Sequence, residues 1–89
     1  MYRVELKPRA QREFGRLSSG DQGRVLAALV GLAGEPRPRQ SVKLSGAIHR
    51  LRVGPLRIIY AVFDRDQLVL VGKVARREKD TYDDVDRLL

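Results

Sequence analysis

The chain has 89 residues, of which 43% are hydrophobic and 33% charged, and it contains no cysteine and one histidine. This composition excludes disulfide scaffolds, zinc knuckles, thiol catalysis and a nuclease built on a histidine pair. No apolar run approaches the length of a membrane-spanning helix. We therefore expect a single domain over residues 1–89 with a small core, soluble in the cytoplasm and not associated with a membrane.

The charge is strongly basic and unevenly distributed. Eighteen Lys and Arg residues oppose eleven Asp and Glu residues, for a net charge of +7. Residues 36–77 hold ten basic and two acidic residues, and residues 36–63 hold no acidic residue. Most of the cations are arginines, which bind phosphate through a bidentate fork. A solvated basic face normally has carboxylates interspersed, so their absence favours a polyanionic partner.

The first half of the chain predicts one strand and two helices. Residues 2–6 alternate apolar and charged side chains, which is the period of a half-buried strand. Pro8 suits the first turn of a short helix that ends near residues 18–20. Asp21 is a suitable N-cap for a second helix, which ends at residues 34–36. An apolar row of this helix is expected in the core: Val25, Leu29 and Leu32.

The second half predicts an antiparallel sheet. Residues 36–39 form an extended connector, and strands follow over Ile48–Val53, Leu56–Phe63 and Leu68–Ala75. A short terminal helix is expected over Glu78–Leu89. Turns are expected at Ser45-Gly46, Gly54-Pro55 and Asp64-Arg65-Asp66. The order β-α-α-β-β-β with a short C-terminal helix indicates an α+β fold in which the helices cover one face of the sheet and leave the other for a ligand.

Basic side chains of this sheet are expected to line one groove. Arg50 and Arg52 point to the same side, because residues two apart in a strand share a face. Arg57 begins the next strand, and Arg76-Arg77 end the one after it. We expect one of this last pair beside the groove, with the phenol of Tyr82 close by. The arrangement predicts a dense phosphate-binding site.

The sequence resembles the RelE/ParE superfamily of toxin–antitoxin toxins. The resemblance spans the chain in order, from the opening Tyr2-Arg3-Val4 strand to the C-terminal part. It rests on the segments Lys43-Leu44-Ser45-Gly46, His49-Arg50-Leu51-Arg52-Val53-Gly54, Leu56-Arg57-Ile58-Ile59-Tyr60 and Val74-Ala75-Arg76-Arg77-Glu78, followed by Tyr82. The resemblance implies the RelE-like microbial ribonuclease fold.

Two activities occur in this superfamily. The RelE branch is implied to cut mRNA in the ribosomal A site, whereas the ParE branch poisons DNA gyrase. RelE-type site residues fall on Arg50, Arg52, Arg57, Arg77 and Tyr82, which favours the RelE branch. The implied reaction is attack of a ribose 2′-hydroxyl on the adjacent phosphate, which leaves a 2′,3′-cyclic phosphate and a 5′-hydroxyl end. The implied partner is a cognate RelB-like antitoxin, and no cofactor or metal is implied.

The site residues have different expected roles. Arg57 would hold the phosphate and stabilise its growing charge, and Arg77 would act on the leaving-group side. Arg50 and Arg52 would orient the substrate. Lysines commonly occupy the strand of these last two residues in the family, and a guanidinium does not give up its proton to act as a base.

The proton acceptor is left open between two groups. Tyr82 would serve if the arginine cluster lowers the pKa of its phenol. His49 carries the side chain best suited to proton transfer near neutral pH, but it lies on the strand face opposite Arg50 and Arg52. A packing role is therefore favoured for His49.

Other basic residues are expected to contact RNA: Lys43, Arg37, Arg39, Arg76 and Lys73. The turn Gly54-Pro55-Leu56 lacks the aromatic residue that the family usually has before the arginine, which removes one base-stacking platform. The acidic tail Asp83–Asp86 is expected to sit on the basic groove.

Two alternatives stay open at this point. The chain could be a ParE-type gyrase inhibitor without catalytic residues, or a nucleic-acid-binding toxin that has lost its activity because arginine replaces lysine in the active strand. No metal site is expected, because the carboxylates cluster at Asp64–Asp66 and in the tail, away from the basic groove.

Overall fold

A computed structural model describes residues 1–76. Its elements are β1 (Arg3–Leu6), α1 (Pro8–Gly15), α2 (Ser19–Gly34), β2 (Ser41–Ser45), β3 (Ile48–Val53), β4 (Leu56–Phe63) and β5 (Leu68–Arg76). The predicted α+β class is confirmed. The predicted terminal helix over Glu78–Leu89, the site residues Arg77 and Tyr82, and the acidic tail Asp83–Asp86 lie outside the described residues.

Both helices begin at recognisable signals. Pro8 occupies the first turn of α1, as predicted. The N-cap of α2 is Ser18, whose hydroxyl accepts a hydrogen bond of 3.2 Å from the backbone N–H of Asp21. The prediction that Asp21 caps this helix is therefore wrong. Asp21 lies in the first turn, where the helix dipole favours a carboxylate.

Residues 1–76 form a sheet of five strands in the order β1-β5-β4-β3-β2. The hairpins β2–β3, β3–β4 and β4–β5 are antiparallel, whereas β1 pairs with β5 in parallel. The sheet is therefore mixed, and the antiparallel prediction holds for its last four strands. Strand β2 was not expected. It lies at the edge of the sheet and, within residues 1–76, pairs with β3 alone. Its sequence carries no strong strand pattern.

The hydrophobic core lies between the helices and one face of the sheet. The apolar row of α2 packs there as predicted, together with Ile58 and Tyr60 of β4. The phenol of Tyr60 donates a hydrogen bond of 2.8 Å to the carbonyl oxygen of Pro36. Burial raises the pKa of Tyr60. The connector after α2 is thus tied to the core.

A β-bulge divides strand β5 into two halves. Tyr60 pairs with Val71 and Ile59 pairs with Lys73, which leaves Gly72 without a partner in the ladder. Because of this extra residue, Val71 and Val74 both join the core although they are three positions apart. Lys73 consequently faces away from the helices.

Neither helix within residues 1–76 has the length and apolar character needed to cross a bilayer.

Candidate active site

Two arginines face each other across the β3–β4 hairpin. Arg52 and Arg57 are directly opposite in the antiparallel ladder, joined by a turn in which Gly54 adopts a φ of 58°. Opposite residues share a face, with Cβ atoms about 5 Å apart. This face is the one away from the helices, since the alternate residues Leu51 and Ile58 belong to the core. Two like charges are therefore held together by the hairpin register.

The Arg57 side chain is buried although it is a cation. Only 4% of the residue is exposed, and its Nη1 donates a hydrogen bond of 3.1 Å to the carbonyl oxygen of Leu56. Within residues 1–76, no carboxylate forms an ion pair with it. Burying a charge is costly unless an opposite charge compensates it. The surroundings of Arg57 are therefore suited to receive an anion.

An open cleft of about 410 Å³ lies in front of these arginines, and we call it the Arg57 cleft. It is lined by Arg52, Gly54, Pro55, Arg57 and Arg76. Among the described residues no carboxylate lines the cleft, and the turn glycine leaves one wall without a side chain. The cleft can therefore accept a phosphate group beside three guanidinium groups.

Arg76 enters the Arg57 cleft from the helix side of the sheet. It pairs with Leu56 in the β4–β5 ladder and so does not share the face of Arg57. Its Nη2 donates a hydrogen bond of 3.1 Å to Oδ2 of Asp21, a residue only 4% exposed. Arg24 donates to the other oxygen of Asp21 at 2.8 Å. Asp21 thus positions the side chain of Arg76, whose contact with RNA remains a prediction.

Asp21 is a site-related residue that the sequence did not reveal. Its place at the start of a helix predicts an N-cap, and its partner Arg76 is 55 residues away in the chain. No local pattern links the two side chains.

Arg50 and Lys73 lie on the same face as Arg57. Arg50 pairs with Ile59, which in turn pairs with Lys73 on the other side, so the three residues form a row across the sheet. Arg50 and Arg52 lie on the same face of the sheet, as predicted. Lys73 lies diagonally across from Arg57, because Arg57 pairs with Ala75. The face therefore carries cations from three neighbouring strands.

The remaining predicted RNA contacts do not converge on the Arg57 cleft. Arg37, Arg39, Lys43 and His49 line a separate cleft beside β2. Arg37 is also bound by both oxygens of Asp64, at 3.1 and 2.8 Å. The pairing of Lys43 with His49 places both on the core side of the sheet, away from the face of Arg57.

His49 is a packing residue in this structure. It is 5% exposed, and its ring stacks on Tyr60 with centroids 5.6 Å apart. Its Nδ1 lies 2.9 Å from the carbonyl oxygen of Ala47. It lies on the face opposite Arg57, as predicted, so its imidazole is not placed to take a proton in the Arg57 cleft.

Within the described part of the chain, no group of three or more His, Asp and Glu residues is arranged to hold a metal ion.

Comparisons with known proteins identify the fold. No protein-family model matches the chain, and no curated protein matches it. Among solved structures, a mutant of the E. coli toxin RelE in the free state has a TM-score of 0.81 and 26% identity, covering 99% of this chain and 98% of that chain. An archaeal RelE–RelB complex from Pyrococcus horikoshii has a TM-score of 0.76 and 26% identity, covering 88% and 97%.

A third neighbour comes from a different organism. The toxin–antitoxin complex RelBE2 from Mycobacterium tuberculosis has a TM-score of 0.66 and 27% identity, covering 85% of this chain and 98% of that chain. The predicted resemblance is thereby confirmed: the chain has the RelE fold, and its solved neighbours support its assignment as a RelE-like toxin of a type II toxin–antitoxin system.

Proposed function

We propose that this protein is an endoribonuclease that cuts mRNA in the A site of the ribosome and thereby inhibits translation. The observation that supports this most directly is the buried guanidinium of Arg57, which has no carboxylate partner within residues 1–76 and opens onto a cleft lined by two further arginines. A site of this kind stabilises the transition state most when the negative charge of the bound group increases during the reaction.

The proposed reaction is a transesterification. The ribose 2′-oxygen loses its proton and attacks the adjacent phosphorus, the bond from phosphorus to the 5′-oxygen breaks, and the leaving oxygen takes up a proton. The products are a 2′,3′-cyclic phosphate and a 5′-hydroxyl end. Arg57 and Arg52 stabilise the additional charge of the pentavalent intermediate. Arg50, on the same face, orients the RNA backbone.

Proton transfer requires groups other than these arginines, because a guanidinium keeps its proton. Lys73 is the described residue best placed to donate to the leaving oxygen, since it shares the face of Arg57 and lies diagonally across from it. Its ammonium group is a proton donor that can rotate toward the leaving oxygen. Tyr82 as proton acceptor and Arg77 on the leaving-group side remain predictions from the sequence.

The proposed partner is a cognate RelB-like antitoxin. Solved neighbours include RelE–RelB complexes, and the excess of basic residues over residues 36–77 would attract an acidic segment. We propose that such a segment covers the Arg57 cleft and keeps the toxin inactive until the antitoxin is removed.

The test is a cleavage assay on programmed ribosomes that carry a defined mRNA, with free mRNA as control and 3′ ends mapped. We expect cuts in the A site that require the ribosome and fall by about a hundredfold or more in Arg57→Ala, since one preorganised charge contact is worth that much. Arg12→Ala, an exposed arginine of α1, is the matched control and should cleave like the wild type.

Intact mRNA with the folded wild-type protein would refute the nuclease proposal. If Arg57→Ala also remained toxic to cells, a binding activity such as gyrase inhibition would replace it.

A further inference from the structure

We infer a second phosphate-binding site on the other side of the β2–β3 hairpin, for the backbone of RNA that lies outside the Arg57 cleft. The inference rests on the proposed function in taking RNA as the ligand. The site is the cleft beside β2, which we call the β2 cleft, with a volume of about 470 Å³. Its lining includes Arg37, Arg39, Ser41, Lys43, Gly46 and His49.

Arg39 and Lys43, two of the three Lys and Arg residues that line the β2 cleft, have no carboxylate partner within residues 1–76. In this described part of the chain, no carboxylate lines the cleft, and the side chains of Arg39 and Lys43 form no hydrogen bond or ion pair. Two carboxylates lie near, but both are occupied by Arg37. Asp64 binds its guanidinium, and Glu35 accepts a hydrogen bond of 3.0 Å from its backbone N–H. Arg39 and Lys43 are thus left to bind an external anion.

The imidazole of His49 adds a polar atom to the wall of the β2 cleft. Its Nδ1 donates to the carbonyl oxygen of Ala47, because that oxygen can only accept. Its Nε2 has no partner in the described part of the chain, where every fully buried side-chain nitrogen or oxygen does have one. Nε2 is therefore reached by solvent. Since the ring lines this cleft, Nε2 can accept a hydrogen bond there from a ribose hydroxyl of a bound RNA.

The two clefts lie on opposite faces of one edge hairpin. Lys43 pairs with His49 on the core side, and their neighbours Val42 and Arg50 pair on the side of the Arg57 cleft. Strand β2 is the edge of the sheet, so nothing within residues 1–76 pairs with its outer side. An RNA strand that leaves the Arg57 cleft can therefore pass around this edge and meet Arg39 and Lys43.

The test compares two variants that remove the same charge. Arg39→Ala/Lys43→Ala removes two exposed cations of the β2 cleft, and Arg12→Ala/Arg16→Ala removes two exposed cations beside α1. The readout is the Kd for a short, labelled single-stranded RNA, measured by fluorescence anisotropy over a series of salt concentrations. Thermal unfolding establishes that both variants fold.

We expect the β2-cleft variant to raise Kd about tenfold and to reduce the slope of log Kd against log salt by about 1.4, since each phosphate contact on a single strand contributes about 0.7. The control variant should leave the slope unchanged. Equal changes in the two variants would overturn the inference, because the effect would then reflect total charge alone.

The ribosome assay separates this inference from the proposed function. RNA binding that depends selectively on Arg39 and Lys43, in a protein that cleaves no mRNA, would support the second site and refute the nuclease. Cleavage by a protein whose RNA affinity is unaffected in Arg39→Ala/Lys43→Ala would support the nuclease and refute the second site.

Discussion

Replacing Arg57 with methionine should stabilise the protein while removing its anion site. The guanidinium is buried and faces Arg52 across the hairpin. Its Nη1 donates a hydrogen bond to the carbonyl oxygen of Leu56, its one acceptor within residues 1–76. Methionine has a similar length and adapts to irregular packing, and it carries no charge. Arg57→Met therefore tests whether the cation is kept for function at the expense of stability.

The expected gain in the free energy of unfolding of Arg57→Met is the difference between the stabilising and the destabilising effects of the substitution. Replacing buried ionic groups with apolar ones of similar volume is often stabilising, by about 1–4 kcal/mol. Removing a like-charge pair across two strands contributes about 0.2–1 kcal/mol. The lost hydrogen bond from a charged donor costs about 1.5–3 kcal/mol. We expect a net gain near 1 kcal/mol, which for a domain of this size raises Tm by about 4–8 °C.

The assay is urea and thermal unfolding with and without inorganic phosphate. Phosphate bound at Arg57 stabilises the wild type by about 1.4 kcal/mol at ten times its Kd, and this increment should disappear in Arg57→Met. General salt effects on folding remain in the variant and are thereby subtracted. Arg52→Met, at an exposed position, is the matched control for removing the like-charge pair when stability is measured without phosphate.

A loss of more than about 1 kcal/mol in Arg57→Met would refute this reasoning. It would mean that the Arg57 side chain is held by contacts that stabilise the fold. Equal stabilisation of the wild type and Arg57→Met by phosphate would refute the anion site itself.

Two further predictions concern carboxylates that bind arginines. Asp21→Ala should lower the free energy of unfolding, measured in urea, by about 1–2 kcal/mol. The reason is that two charge-assisted hydrogen bonds are lost while the freed arginines stay exposed to water. Unchanged stability would contradict this prediction. Arg37 and then Tyr2 hold the pKa of Asp64 below its ordinary value of 3.8. The stabilisation that the Asp64 carboxylate contributes is therefore present above pH 3.8. It is lost as the pH falls through the lower pKa that Asp64 has in the folded protein. In Asp64→Asn the free energy of unfolding should therefore fall less steeply with decreasing pH in this acid range. An equally steep fall in Asp64→Asn would show that other groups cause the loss of stability.

Local features of the site could be predicted from the sequence. Arg50, Arg52 and Arg57 share one face because alternation within β3 and β4 is broken only by the turn at Gly54-Pro55. A two-residue loop fixes the register of a hairpin, so the pairing of Arg52 with Arg57 depends only on neighbouring sequence. The core row of α2 follows in the same way from helical periodicity.

Contacts between distant segments could not be predicted. Asp21 and Arg76 are 55 positions apart, and Arg37 and Asp64 are 27 positions apart. No periodicity relates such residues, because their distance is decided by how the helices and the connector pack on the sheet. For the same reason the sequence did not predict that Arg37 would be bound by a carboxylate.

The faces of strand β5 were decided by tertiary structure. Simple alternation from Val69 and Val71 would place Lys73 in the core and Val74 outside. The bulge at Gly72 reverses this, so Val74 joins the core and Lys73 turns to the face of Arg57. The sequence by itself determined the fold class and the arginine pair, because these follow from local periodicity. Only the folded chain determined which other cations accompany that pair, because burial of valine on both sides of the bulge outweighs regular alternation.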